Sequence, residues 1–238
     1  MKNLWLLSLK DLKAYYFKPA TVSWGILFPL VFILIFMMKG QADISQLFGG
    51  LISMSIFFGA TSMTATSIMM ERKINIFNIY YTLPISYSSI ALGKITSGLL
   101  FGLFTSTVMF LITLFLAPVK VYSVIWLLLW FISSSFAFSA FGVFLSLIVK
   151  EAYDAMTYMN LIRLPLIFVS GIFIPISRLS HNIRIISYFS PLSYSAELSN
   201  YVFFKKSFFN PVLSLTVLLV FGFILFLLSA SRINKLRG

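Results

Sequence analysis

The 238 residues are 60% hydrophobic and 10% charged, with a mean hydropathy of +0.99. Too little polar material remains to cover a water-soluble surface, so a soluble fold is excluded. Eighteen Lys and Arg face six acidic residues (Asp11, Asp43, Glu71, Glu151, Asp154 and Glu197), giving a net charge of +12. In a membrane chain such an excess flanks apolar spans and meets anionic headgroups; it is not read as a nucleic-acid surface. With no cysteine, disulfides and thiolate metal sites are excluded, and the lone His181 excludes a multi-histidine metal site.

Met1-Lys2-Asn3 followed by Leu4 to Leu9 opens like a signal peptide, but the apolar run stops after six residues at Lys10-Asp11, too short for the hydrophobic part of one. Over residues 1–18, Trp5, Leu9, Leu12 and Tyr16 recur at helical spacing, with Lys2, Lys10 and Lys13 on another face. That pattern predicts an amphipathic helix lying in the membrane interface, the alternative being an ordinary charged flank of the first span. Six spans are expected at 20–38, 47–70, 95–117, 121–149, 155–176 and 207–231, each near or above the ~20 residues needed to cross. The fourth, 29 residues long, would reach ~43 Å and so must tilt or run past the hydrocarbon core.

Span two carries a hydroxyl patch, Thr61, Ser62, Thr64, Thr66 and Ser67, which either packs against neighbours or lines a polar conduit. Spans three and four carry small-residue stripes, Gly98, Gly102 and Ser106 in one and Ser135, Ser139, Gly142 and Ser146 in the other, as expected where helix backbones approach closely in lipid. With the N-terminus inside, eleven Lys and Arg flank the spans on the inner side and six (Lys39, Lys120, Arg178, Arg184, Lys205 and Lys206) on the outer, so both termini are expected in the cytoplasm. The connections near Gln41 and Lys120 are short, so residues 1–238 form one transmembrane domain with two longer excursions, cytoplasmic 71–94 and external 177–206.

The sequence holds no converging nucleophile and base, no paired carboxylates and no metal cluster, so it is not read as an enzyme. Its one Gly-Lys pair, Gly93-Lys94, lacks the rest of a P-loop, so no ATP or other cofactor is expected on this chain. Arg163 alone is ionisable inside a span; it either snorkels toward Glu151 and Asp154 or faces a hydrated conduit and meets anionic groups. Pro165 and Pro175 bracket Ser170-Gly171 and break the fifth helix near the outer surface, which predicts a re-entrant helical hairpin after it. On the cytoplasmic side Ile76, Phe77, Tyr80 and Leu83 give a short helix an apolar face suited to docking a partner.

Two motifs draw these parts together. The first is Glu71-Arg72-Lys73, then Ile76-Phe77, then Thr82-Leu83-Pro84-Ile85-Ser86 ahead of Gly93-Lys94. The second runs from Leu164-Pro165 through Ser170-Gly171 to Phe173-Ile174-Pro175-Ile176-Ser177, and on to Ser190-Pro191-Leu192-Ser193-Tyr194. In type and order they resemble the permeases of type 2 ABC exporters, the family of drug, lipid and polysaccharide exporters, and the resemblance covers essentially the whole chain. Members typically show Glu-Arg-Glu, Gly-Thr and Thr-Pro-hydrophobic-Ser in the first motif. Here Lys73 replaces the second Glu, Asn75-Ile76 stands in place of Gly-Thr, Leu83 is inserted before Pro84, and Ile174 separates Phe173 from Pro175.

The resemblance implies an all-α integral membrane protein of six transmembrane helices, with an N-terminal interfacial helix, a cytoplasmic coupling helix between spans two and three, and a re-entrant external hairpin between spans five and six. It implies a half-transporter in a prokaryotic plasma membrane, paired with an identical or different second permease chain and with a separate ABC ATPase subunit that carries ATP and Mg. The cargo expected is a hydrophobic or amphipathic compound, drug-like or lipid-linked, moved outward. On that basis Glu71, Arg72, Ile76, Phe77, Tyr80, Leu83 and Pro84 are the ATPase-coupling candidates, although Glu71-Arg72 is equally readable as a helix end anchored in headgroups. Thr61, Ser62, Arg163, Ser170, Gly171, Pro175 and Pro191 are the conduit or gate candidates. An ion-coupled secondary transporter or channel without an ATPase is the rival, with Arg163 as its sole support.

Overall fold

The computed structural model describes residues 2–16, 18–38, 45–82, 84–116, 119–151 and 154–235. Among these the chain is helical, with no strand. Helix α1 (Lys2–Tyr15) precedes α2 (Pro19–Val22), which runs through a π-helical turn (Ser23–Leu27) into α3 (Phe28–Met38). Then come α4 (Ser45–Lys73), α5 (Ile76–Thr82), α6 (Tyr87–Leu116), α7 (Val124–Ile148) and α8 (Asp154–Val169). A 3-10 turn (Ile176–Arg178) leads to α9 (His181–Phe189), α10 (Pro191–Phe204) and α11 (Pro211–Lys235).

Four of these helices, α4, α6, α7 and α11, are long and apolar enough to cross a membrane. The first and fifth expected spans are shorter: helix is continuous from Pro19 to Met38, about 30 Å, while α8 is 16 residues, about 24 Å. Helix α8 stops at Val169 rather than 176 because Gly171 takes a left-handed conformation, φ 86°, that reverses the chain. The fourth span is 25 residues, not 29: Ser123 caps α7 by accepting from the Trp126 N–H, and Tyr122 is drawn out of the helix to donate its N–H to the Val202 carbonyl, 3.1 Å. Helix α6 begins at Tyr87, which makes Gly93 and Lys94 helical rather than part of the cytoplasmic connection.

Helix α4 is the hub. It packs against α1, α2, α3, α5, α6, α7, α8 and α10. Its apolar stretch has the lowest mean hydropathy of the four, 1.4, and is 94% buried, whereas α11 has the highest, 2.7, and is 28% buried. Polar groups cannot face hydrocarbon, so the least apolar of the four helices is the one wrapped by protein, and the most apolar is left to lipid. The small-residue stripes of α6 and α7 do the close packing expected of them. A Cβ at Gly98 would collide with Thr64 of α4 and Ser139 of α7, and one at Gly102 would lie 2.8 Å from the Ser135 hydroxyl. Gly142 sits against Thr61 and Thr64. Near the N-terminal end of α7, Trp130 donates its indole N–H to Ser195 of α10, 3.0 Å, and Ser134 shares the same hydroxyl at 2.8 Å.

Gly142→Val should therefore force α7 off α4 and destabilise the chain by about 1–3 kcal/mol, the usual cost of overpacking. A thermal-unfolding series in detergent checks this, with exposed Leu213→Val of α11 as the control expected to leave the midpoint unchanged.

Candidate functional site

Helices α1, α5, the end of α4 and the start of α6 meet in a buried polar cluster. Asn75, φ 56°, follows α4 and turns the chain into α5; Asn is among the few residues with a side chain that adopt the left-handed conformation readily. This turn folds α5 back onto the α4 terminus. Lys94 of α6 donates to both carboxylate oxygens of Asp11 in α1, 2.9 and 2.8 Å, and to the Ser67 hydroxyl, 3.0 Å, and pairs with Glu71 of α4. Glu71 also takes Lys10 of α1, and accepts from the Tyr80 hydroxyl of α5 at 2.9 Å; Lys10 in turn donates to Tyr80, 2.7 Å. Two lysines and two carboxylates thus balance, with Lys94, Asp11 and Glu71 shielded from solvent. Burial pushes the Asp11 carboxyl up from its ordinary range and Lys94 pulls it back. Burial and the Glu71 carboxylate raise the Tyr80 phenol, keeping it a donor.

Glu71 and Arg72 are not a helix end anchored in headgroups. Glu71 is fully buried, and Arg72 reaches α7, donating to the carbonyls of Ser146, Val149 and Lys150 at 3.0, 2.7 and 2.7 Å. It neutralises the open carbonyl end of that helix. The expectation that Phe77 and Tyr80 face outward is also corrected. Phe77 is 7% exposed and packs with Tyr80, Ile68 and Ile90 in the chain's own core, alongside the rings of Tyr81, Tyr87 and Phe144. Ile76 is half-buried against the same core, while Ile79, 56% exposed, turns outward with Asn78, Thr82 and Pro84. Leu83 lies outside the described residues.

Arg163 does not snorkel. It is 0% exposed and lies across α4, donating to the hydroxyls of Thr61 and Ser62 at 2.9 and 2.8 Å, to the Phe58 carbonyl at 3.3 Å and to Asn160 Oδ1 at 2.5 Å. Its guanidinium also stands 4.6 Å over the Phe58 ring and 5.8 Å from that of Trp24. Only neutral acceptors hold it among the described residues, where a charge at mid-helix otherwise costs about 2.5–3.5 kcal/mol. The hydroxyl patch therefore divides: Thr64 packs, Ser67 serves Lys94, and Thr61 and Ser62 meet Arg163.

The remaining gate candidates form a second group past the end of α8. Ser170 is buried and donates to the Ile167 carbonyl, 2.8 Å; Pro191 occupies the first turn of α10. Gly171 and Pro175 line a cleft of about 870 Å³ between α3, α4 and α10, together with Tyr122, Asn200, Arg178 and Lys206. Glu197 anchors the α10–α11 turn by accepting the Phe208 N–H, 2.5 Å, and the Asn200 amide, 3.2 Å.

Removing Lys94 should be costly, because it strands two buried carboxylates. Lys94→Met is expected to lose about 3–5 kcal/mol of stability, and Asp11→Asn added to it should restore part of the loss. Thermal unfolding of the single and double variants reads both; an undiminished midpoint for Lys94→Met would contradict the cluster.

The ABC-2 type transporter family matches residues 2–204, from α1 to the end of α10, so the match takes in both groups of candidate residues. The chain is similar to the inner membrane transport permease YadH of Escherichia coli strain K12, 24% identical over 201 residues that cover 84% of this chain and 78% of that protein. The permeases of the same name from Escherichia coli O157:H7 and Shigella flexneri match to the same extent. With its apolar crossing helices, this is a multi-pass plasma-membrane protein. The chain belongs to the ABC-2 type transporter family and is a membrane permease of an ABC transporter.

Proposed function

We propose that this permease pairs with a second permease chain and with separate P-loop ATPase subunits to drive a hydrophobic or amphipathic compound out of the cytoplasm. Helices α2–α3 and α8 complete six spans with both termini in the cytoplasm, and α9–α10 forms the re-entrant external hairpin; the unbroken burial from Ser190 to Ser199 supports this. The exposed stripes Leu27, Val31, Leu34 and Ile35 of α2–α3, and Tyr158, Leu161 and Phe168 of α8, are the surfaces offered to the second chain.

The observation that carries the reading is the linkage of α5 to the spans. The outer face of α5 (Asn78, Ile79, Thr82, Pro84) is free of the chain's own core, and its inner face is tied through Tyr80 to Glu71, the last-turn carboxylate of α4. A push on α5 from an ATPase is thus passed to α4, α1 and α6 together through one ion cluster, and α4 carries it to the level of Arg163. ATP and Mg belong to the partner subunit. Membership in the ABC-2 family weighs against the ion-coupled alternative, and a single intramembrane cation with neutral partners adds nothing in its favour.

A mild-detergent pull-down from native membranes tests this. The wild-type chain should bring down a P-loop ATPase. Ile79→Glu should reduce that recovery about tenfold or more, as ~1.4 kcal/mol of lost binding does, with the unfolding midpoint unchanged. Phe77→Glu should instead lower the amount of folded chain, since it buries a charge in the core. Recovery of no ATPase with intact wild-type chain, or equal recovery with Ile79→Glu, would overturn the proposal.

A further inference from the structure

We propose that Arg163 is the mid-membrane receptor for an oxyanion, a carboxylate or a phosphate-type group borne by an amphipathic ligand; as a statement about cargo it rests on the permease reading above. The argument begins with where the negative charge of the chain goes. Asp11 and Glu71 are committed to Lys94 and Lys10 at the cytoplasmic end. Glu197 is held by the α10–α11 turn. Glu151 and Asp154 are exposed at the start of α8, and Asp154 is nine residues, about 13 Å along the helix, from Arg163. Asp43 lies outside the described residues. Among the described carboxylates none pairs with Arg163, which is fully buried within one chain.

The groups around it are of the kind that adapts to an anion. Thr61 and Ser62 accept from Arg163; Thr61 gives its own proton to the Phe57 carbonyl, and the Ser62 hydroxyl carries a proton that can be turned toward a negatively charged oxygen. The guanidinium Nε–H is buried with no acceptor, leaving one donor of a planar fork open. Phe58 and Trp24 border the cation and supply apolar contact for the chain attached to the anion.

Two irregularities at the same level let the helices part. Trp24 rides on the π-helical turn Ser23–Leu27, a distortion common at functional sites. Pro165, two residues beyond Arg163, removes the backbone donor that would reach the Leu161 carbonyl. An anion moving outward along α4 next meets Arg178 and Lys206 in the outer cleft, whose wall includes Gly50, twelve residues or about 18 Å from Ser62.

The test is direct binding to the purified chain in phosphatidylcholine nanodiscs, read by quenching of tryptophan fluorescence. The probes are dibromostearate in alkaline buffer, the matching dibromostearyl alcohol, and brominated phosphatidylglycerol. The signal is the quenching seen in wild type minus that in Trp24→Phe, which isolates one of the four tryptophans. Dibromostearate should bind about tenfold tighter than the alcohol, as charge-assisted hydrogen bonds predict. Arg163→Gln should abolish the preference and Arg163→Lys should keep part of it. Binding of brominated phosphatidylglycerol as well would identify a bilayer lipid as the source of the anion; binding of the single-chain acid alone would identify a smaller amphiphile. Equal binding of acid and alcohol in the wild type, a criterion that needs no variant to fold, or an undiminished preference in Arg163→Gln, would overturn the proposal. Because no ATPase takes part, failure here is separable from failure of the transporter reading.

Discussion

The need to keep the polar groups of α4 out of hydrocarbon organises the chain. A helix that carries Ser53, Ser55, Thr61, Ser62, Thr64, Thr66, Ser67 and Glu71 cannot be stable against lipid, where each unsatisfied polar group costs several kcal/mol. Helices α6, α7, α8 and α10 and the N-terminal helices surround it, and their own composition follows from the position they take. Helices α6 and α7 meet it with glycine and serine, which bring backbones close; across α4 and α6 the Ser55 and Thr105 hydroxyls each reach the other's carbonyl at 3.4 Å. Helix α11, packed against α6, α7 and α10, can be almost wholly apolar.

Encirclement also suits α4 to the transmitting role proposed for it. A helix gripped along its length moves with its neighbours rather than past them, and packed cores switch between discrete arrangements more readily than they deform. At its C-terminal end the grip is ionic, through Lys94, Asp11 and Glu71; nearer its middle it is the Arg163 fan across Phe58, Thr61 and Ser62. A buried ion cluster contributes little net stability compared with apolar packing, but it penalises partial separation heavily. That property suits a joint that must pass on a displacement without coming apart.

Much of this was legible in the residues. Apolar run lengths located the four helices long and apolar enough to cross, because bilayer thickness leaves little freedom. The paired stripes Gly98/Gly102 and Ser135/Ser139 were readable as packing surfaces because small residues at helical spacing in lipid serve close approach. The short helix after Glu71 was placed correctly, but its facing was inverted. An apolar stripe outside the membrane does not reveal whether it meets a partner or the chain's own core, and the answer depended on Phe77 filling space beneath α4. Lys94 and Asp11, 83 residues apart, were invisible as a pair, since one looked like a flanking charge and the other like the polar face of an amphipathic helix. Arg163 was recognised as exceptional, yet its partners on α4 follow from tertiary packing alone.

The central claim is that the outer face of α5, and not its apolar inner face, receives the ATPase. The chain has no cysteine, so single cysteines can be placed at Ile79 and at Phe77 and joined to a photoreactive crosslinker in native membranes. The account predicts that Ile79→Cys captures a P-loop ATPase and that Phe77→Cys, buried, takes up little reagent and captures none. Capture through Phe77→Cys with none through Ile79→Cys would contradict it.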